Sequence, residues 1–189
     1  MEGRPRTWIA IAVVLSLVIL SGSAIAEEKK DKNAEKRAEI DAMAKKALDT
    51  VLAKSENAKQ LHAKAAGYAV FNNVKVAIGI SGGGGSGVAV SKSGQRTYMK
   101  MGTAGIGLGL GGQKYQVVFF FETDAALKSF VEKGWKAEGS AQAAAGNKGA
   151  DAGASFSNGM ALYQLTDAGL MASADVSGTK YWKYDKLNK

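Results

Sequence analysis

The chain contains no cysteine and a single histidine, His62. Zinc, iron-sulfur and thiol chemistry draw on cysteine or on clustered histidine ligands, so these chemistries are excluded, and with them any disulfide framework. The one proline, Pro5, falls in the first seven residues. Aromatic residues make up 8% and charged residues 22%, against a hydrophobic fraction of 46%. That balance can bury a core and is not the composition of a disordered chain. Glycine is the excess, with 24 in 189 residues, where a typical share is roughly 7%.

Nucleotide and catalytic motifs are also missing, or present in letters only. No Gly-Lys dipeptide occurs, which removes the phosphate loop of nucleotide hydrolases. Gly82-x-Gly84-x-x-Gly87 has dinucleotide spacing, but a strand-like Val88-Ala89-Val90 follows in place of a helix, and no acid appears before Glu122 to hold a ribose. Gly79-Ile80-Ser81-Gly82-Gly83 spells a hydrolase elbow, yet that site needs a histidine late in the chain, and His62 lies upstream. No carboxylate spacing suggests a glycosidase pair. An enzyme is therefore not expected, nor a metal or cofactor, and His62 reads as a surface or structural residue.

What is present begins with an address. Arg4 and Arg6 precede an apolar run, Trp8–Leu20, and the segment closes on Ala24-Ile25-Ala26. This is the pattern of a secretory signal peptide cleaved after Ala26. The run of 13 is shorter than the ~20 residues a spanning helix needs, although retention as an anchor is the alternative. No cysteine follows to carry a lipid, so a lipoprotein is not expected. The expected organisation is a leader over 1–26 and one domain over 27–189, exported to the periplasm or beyond and held together by packing alone.

Charge in that domain is unevenly placed. Residues 27–56 hold eight basic and eight acidic side chains, and 122–189 again eight of each. The 65 residues between Glu56 and Glu122 contain no carboxylate, yet carry Lys59, Lys64, Lys75, Lys92, Arg96, Lys100 and Lys114. A mixed-sign surface is the ordinary expectation, so this interval points to an anionic partner and makes those seven residues the candidate site. Three or four of them facing an anionic membrane at about 1 kcal/mol each would supply roughly 3 to 4 kcal/mol. That corresponds to about a hundredfold to a thousandfold in affinity, enough for reversible recruitment. Nucleic acid fits the same charge, but an exported protein seldom meets it.

Ile40, Met43, Ala44, Ala47, Leu48, Val51 and Leu52 recur at steps of three and four, which predicts an amphipathic helix from about Asn33 to near Ser55. A short helix over Asn57–Ala65 follows. After Gly67 the period becomes two: Tyr68–Phe71, a stretch with Val74, Val76, Ile78 and Ile80 on one face, Val88–Val90, Thr97–Met101, Ile106–Leu110 and Tyr115–Phe121 read as short strands of an antiparallel meander. Asp124–Lys133 is a helix capped by Thr123 or Asp124 and stopped by Gly134. Strands near Met160–Leu165 and Leu170–Val176 flank a hairpin loop at Thr166-Asp167-Ala168-Gly169. The fold class is α+β: amino-terminal amphipathic helices, then a glycine-rich, mainly antiparallel sheet or partial barrel with one inserted helix.

Thirteen glycines lie between Gly79 and Gly112. Where they alternate with apolar residues, as in Gly105–Gly111, one strand face is bare. Close approach of another backbone is the first explanation, and a ligand lying on the bare face is the second.

In order along the chain, Gly67-Tyr68-Ala69-Val70-Phe71, Lys75, the Gly79–Gly87 run, Gly105–Gly112 leading into Val117–Phe121, Thr123–Phe130 and Tyr163–Ser177 with its Gly169-Leu170-Met171-Ala172 step, followed by Gly178, resemble the SYLF domain family. The resemblance implies a lipid-binding module, found in eukaryotic phosphoinositide-binding and actin-regulating proteins and as a stand-alone exported domain in bacteria. It associates phosphoinositide binding with an amphipathic amino-terminal helix and basic residues, here the helix over about 33–54 and the lysines of the acid-free interval. Actin bundling by some members is not carried over, because a bacterial envelope holds no actin. The expected function is non-enzymatic recognition of anionic, phosphoinositide-like phospholipid head groups, peripheral to a membrane. The alternative is a structural or partner-binding envelope protein with no specific lipid, its partner docking on the amino-terminal helix.

Overall fold

The structure is a computed structural model that describes residues 32–136, 154–171 and 178–189, with the backbone alone for 77–80, 106–111 and 171. The expected signal peptide lies outside the described residues.

Helix α1 covers 32–54. Its apolar stripe is the one the spacing predicts: Ile40, Ala44, Ala47, Leu48 and Val51 are all buried. Lysine and acid occupy the outer face, with Lys36–Glu39 and Lys45–Asp49 paired one turn apart. Ser55 ends α1 and caps α2 (Glu56–Lys64), its hydroxyl accepting from the Ala58 N–H at 3.2 Å.

Two strands dominate. β1 (Gly67–Ser91) and β2 (Arg96–Phe121) run antiparallel from the pair Gly67/Phe121 to the pair Val90/Arg96. The six short strands expected over this stretch are two long ones. Glycine ordinarily interrupts a strand, but here the glycines at 67, 82–85, 87, 102, 105, 111 and 112 keep their ladder partners, and the register slips between Ile78 and Ile80. At that slip Gly79 faces the three residues Gly107–Gly109, a bulge that bends the ribbon. The turn over 92–95 closes through Gly94 at φ +86°.

The bend folds the ribbon back on itself. Gly83 comes against the Val74 carbonyl, Gly85 against that of Asn72, Gly87 against that of Val70, and Gly67 against that of Val90. The two halves of β1 therefore run side by side in opposite directions. At Gly83, Gly85 and Gly87 a methyl group would collide with backbone, so glycine there is a requirement of close approach. Gly82, on the same strand, has open space.

Helix α3 (Asp124–Lys133) follows, capped by the Thr123 hydroxyl and ended by Gly134 at φ +71°. Then come β3 (Trp135–Lys136), β4 (Met160–Thr166), β5 (Gly169–Met171), β6 (Thr179–Lys183) and a closing 3-10 helix, Asp185–Leu187. The sheet order is β3-β6-β2-β4-β5 with β1 along β2. Counting each half of the folded ribbon, it is an open antiparallel sheet of eight segments, and the fold is α+β. The β4–β5 hairpin turns where expected, pairing Thr166 with Gly169. The strand predicted to Val176 extends beyond the described residues after Met171. β6 was not expected: Thr179–Lys183 alternates inward Thr179 and Tyr181 with exposed Lys180 and Trp182, a period of two too short to stand out.

Each face of the sheet builds a core. On one, α1 and α2 cover Val70, Val88, Val90, Tyr98, Val118, Phe120 and Tyr163. On the other, the sheet curls around Phe71, Met99, Met101, Phe119, Phe121 and Tyr181, with α3 adding Leu127 and Phe130. Phe71 lies 4.7 Å, centroid to centroid, from Tyr181 in an edge arrangement. Met99 and Met101 belong to this core and are closed to a lipid interface.

Candidate functional site

The acid-free interval is, in three dimensions, α2 and the whole β1–β2 ribbon. The structure divides its seven cations into groups. Lys64 ends α2, and the Lys92 N–H donates to the Ala66 carbonyl just beyond it at 2.7 Å. Arg96 opens β2 on the far side of the same turn. These three gather where α2 meets the tip of the ribbon. Lys100 and Lys114 lie farther along β2, Lys75 sits on β1, and Lys59 is on α2.

Two of the seven are engaged by acids. Lys59 pairs with Glu56 at 2.8 Å, both side chains well exposed. Arg96 Nε lies 3.5 Å from Asp41 Oδ1 on α1, and Tyr98 donates its hydroxyl to Asp41 Oδ2 at 3.0 Å. The remaining five, Lys64, Lys75, Lys92, Lys100 and Lys114, have no carboxylate within salt-bridge distance among the described residues. Lys100 instead stands over the Tyr184 ring, 4.2 Å from its centroid. Strand alternation splits the set again: Lys100 and Lys114 share the helix-bearing face with Tyr98 and Val118, whereas Lys75 belongs to the opposite side of β1. The seven residues thus do not form one continuous patch.

Around the ribbon tip two shallow grooves meet at Tyr68. One, of about 380 Å³, is lined by His62, Ala65, Tyr68, Ser91 and Lys92. The other, of about 390 Å³, runs between α1 and the sheet past Asp41, Leu48, Val88 and Arg96. Burial raises the Tyr68 hydroxyl pKa, with nearby Arg96 pulling the other way, and burial lowers that of His62. His62 packs on the rings of Tyr68 and Phe120, 5.7 and 5.6 Å away, which is the structural role expected of it. A third groove, about 420 Å³ between α3 and the ribbon tip, mixes Asp124, Lys128, Glu132 and Lys183.

A polar node inside the sheet has no signature in the residue pattern. Asn73 and Tyr115 are hydrogen-bonded to each other and buried, while the Tyr181 hydroxyl and Thr179 Oγ1 are buried with no hydrogen-bond partner among the described residues. Desolvation pushes the Tyr181 pKa well above the usual phenol range. The carboxyl end also locks α1: Asn33 and Arg37 donate to the carbonyls of Lys186 and Leu187, both at 3.3 Å. Asn188 clasps the Tyr98 backbone, accepting from its N–H at 2.9 Å and donating to its carbonyl at 2.7 Å. Among the described residues no three metal-ligating side chains cluster, and no helix is long and apolar enough to cross a membrane.

A folded β ribbon with α1 and α2 on one face and α3 on the other defines a domain of α+β class. Residues 102–189 match the Ysc84 family, described as Las17-binding protein actin regulator. The chain is also 42% identical over 149 residues to beta cell expansion factor A of Aeromonas veronii, an alignment covering 78% of this chain and 57% of that protein. The chain therefore spans a little over half the length of this relative.

Proposed function

We propose that the chain is an exported, non-enzymatic lipid-binding protein that recognises anionic phospholipid head groups, phosphoinositide-like in their phosphate chemistry, at a basic surface. The observation that carries this reading is the set of five lysines, 64, 75, 92, 100 and 114, without a carboxylate partner, on a ribbon whose own sequence holds no acid. Charge left uncompensated on a rigid sheet has an anionic surface as its natural partner. The family match supports the same direction, since the resemblance set out above implies lipid binding. Lys64, Lys92 and Arg96 at the ribbon tip form one contact, and Lys100 and Lys114 a second. Arg96 contributes less than the others because Asp41 already faces it.

The apolar face of α1 is occupied by the sheet, so a partner meeting this helix would have only its polar face. That favours a lipid surface over helix docking. The leader over 1–26, one domain over 27–189 and a periplasmic or secreted location belong to the same proposal. The test is binding to vesicles of defined charge: changing Lys75, Lys92, Arg96 and Lys100 to Gln should weaken binding to anionic vesicles. If those changes leave binding intact, recognition does not run through this charge.

A further inference from the structure

The large hydrophobic side chains exposed among the described residues are Val74, Val76 and Trp182, at 45%, 49% and 38% of their surface. All three lie on one face of the sheet. Val74 and Val76 alternate in phase with Val70, whose side chain is under the helices. Trp182 pairs with Lys100, in phase with Tyr98 of the same core, and its ring lies across the space above Gly102, 3.1 Å from where a Cβ would stand. Helices α1 and α2 cover this face only toward the ribbon tip. Among the described residues, no helix covers the end toward the bend.

Between the valines and the tryptophan the sheet offers almost no side chains. Lys114 pairs with Val74, whose carbonyl lies against Gly83, and the residue beside Gly83 on the helix-bearing face, Gly84, begins the pairs Gly84/Gly102, Gly102/Lys180 and Lys180/Lys136. A low centre with apolar residues on either side is therefore bordered by Lys100, Lys114, Lys180 and Lys136. β1, β2, β3 and β6 contain no carboxylate at all.

We infer that this uncovered end of the helix-bearing face is where the protein seats on an anionic bilayer, with Val74, Val76 and Trp182 entering the boundary between head groups and acyl chains. The inference rests on the lipid-binding reading and adds an apolar component to it. An indole at the head-group level, with long lysine stems keeping their ammonium groups among the phosphates, is the side-chain chemistry of a membrane interface. A second copy of the chain would bring lysines against lysines, so charge complementarity selects the bilayer.

The experiment uses residues 27–189, which include every described residue, and vesicles of phosphatidylcholine with or without phosphatidylglycerol, prepared with brominated acyl chains. The tryptophans of this segment are Trp135 and Trp182. Anionic vesicles should quench the fluorescence, and Trp182→Phe should remove most of that quenching. The Val74→Ser/Val76→Ser variant should bind about tenfold more weakly, from two half-exposed valines each losing about half of a full side-chain burial. Its melting curve should match the parent, since both positions face solvent. Binding to anionic vesicles without quenching of Trp182, and unaffected by the valine changes, would overturn this inference and leave the charge reading standing. No sedimentation with any vesicle would remove both. Self-association of the chain, lost in the valine variant, would assign the face to a second copy and likewise overturn the proposal.

Discussion

Glycines three residues apart on one strand should respond oppositely to the same substitution. A Cβ at Gly85 would collide with the carbonyl group of Asn72, while one at Gly82 would meet nothing within 4 Å. Neither residue has the left-handed φ that would strain alanine, so the comparison isolates close approach. In Gly85→Ala the obstacle is a backbone carbonyl of a paired strand, which moves only if the ladder moves. Overpacking of this kind costs about 1 to 3 kcal/mol, and the upper value applies because no flexible side chain can yield. At roughly 2 to 4 °C per kcal/mol for a domain of this size, the melting temperature should fall by about 6 to 12 °C. Gly82→Ala should instead gain about 0.5 kcal/mol by removing a flexible residue from a strand. Thermal unfolding of residues 27–189 followed by circular dichroism reads both. Equal shifts for the two variants would refute the folded-ribbon packing, since an extended ribbon treats the two positions alike.

Ser55→Ala removes the α2 cap from a buried site and should cost about 1 kcal/mol, read as a lower denaturation midpoint with an unchanged slope. Tyr181→Phe should be neutral or stabilising by up to about 1 kcal/mol, because the buried hydroxyl has no hydrogen-bond partner among the described residues. The same variant bears on alkaline stability. A phenol whose folded pKa lies far above 10 stays protonated in the fold while the unfolded chain ionises, so stability is full below pH 10 and falls as pH rises beyond it; Tyr181→Phe should flatten that fall. His62 is the only imidazole in the chain, and its burial-lowered pKa means the unfolded state takes the proton first. Stability should therefore drop as pH falls below 6.5, and a proton NMR titration of the folded protein should find the imidazole pKa below that value; a midpoint above it would contradict the packing on Tyr68 and Phe120.

Much of the architecture is legible in local patterns. The three-and-four spacing from Ile40 to Val51 marks α1 and its buried face, Thr123 and Gly134 bracket α3, and the Thr166–Gly169 turn stands in its place. Strand length was not legible. Glycines at 82–85, 105, 111 and 112 look like interruptions, and only the partner strand shows that each keeps its place in the ladder. The requirement at Gly83, Gly85 and Gly87 comes from Val74, Asn72 and Val70 earlier on the same strand, folded back by a bulge that periodicity cannot reveal. The candidate site was legible as composition and not as geometry. Seven cations with no acid among them are plain in the sequence, but their separation between the ribbon tip and two sheet faces depends on strand phase and on Asp41 arriving from α1. Trp182 was invisible for a related reason, since its exposure follows from its place opposite Lys100 and over Gly102.

The most direct test of a charge-reading lipid module is co-sedimentation of residues 27–189 with phosphatidylcholine vesicles, with and without phosphatidylglycerol, at low and at high salt. Binding should require the anionic lipid, and raising the salt should weaken it by screening the lysines. Changing Lys75, Lys92, Arg96 and Lys100 to Gln should lower it further while the melting temperature holds. Equal binding to neutral and anionic vesicles, or none to either, would contradict recognition by charge and leave a protein partner as the reading to pursue.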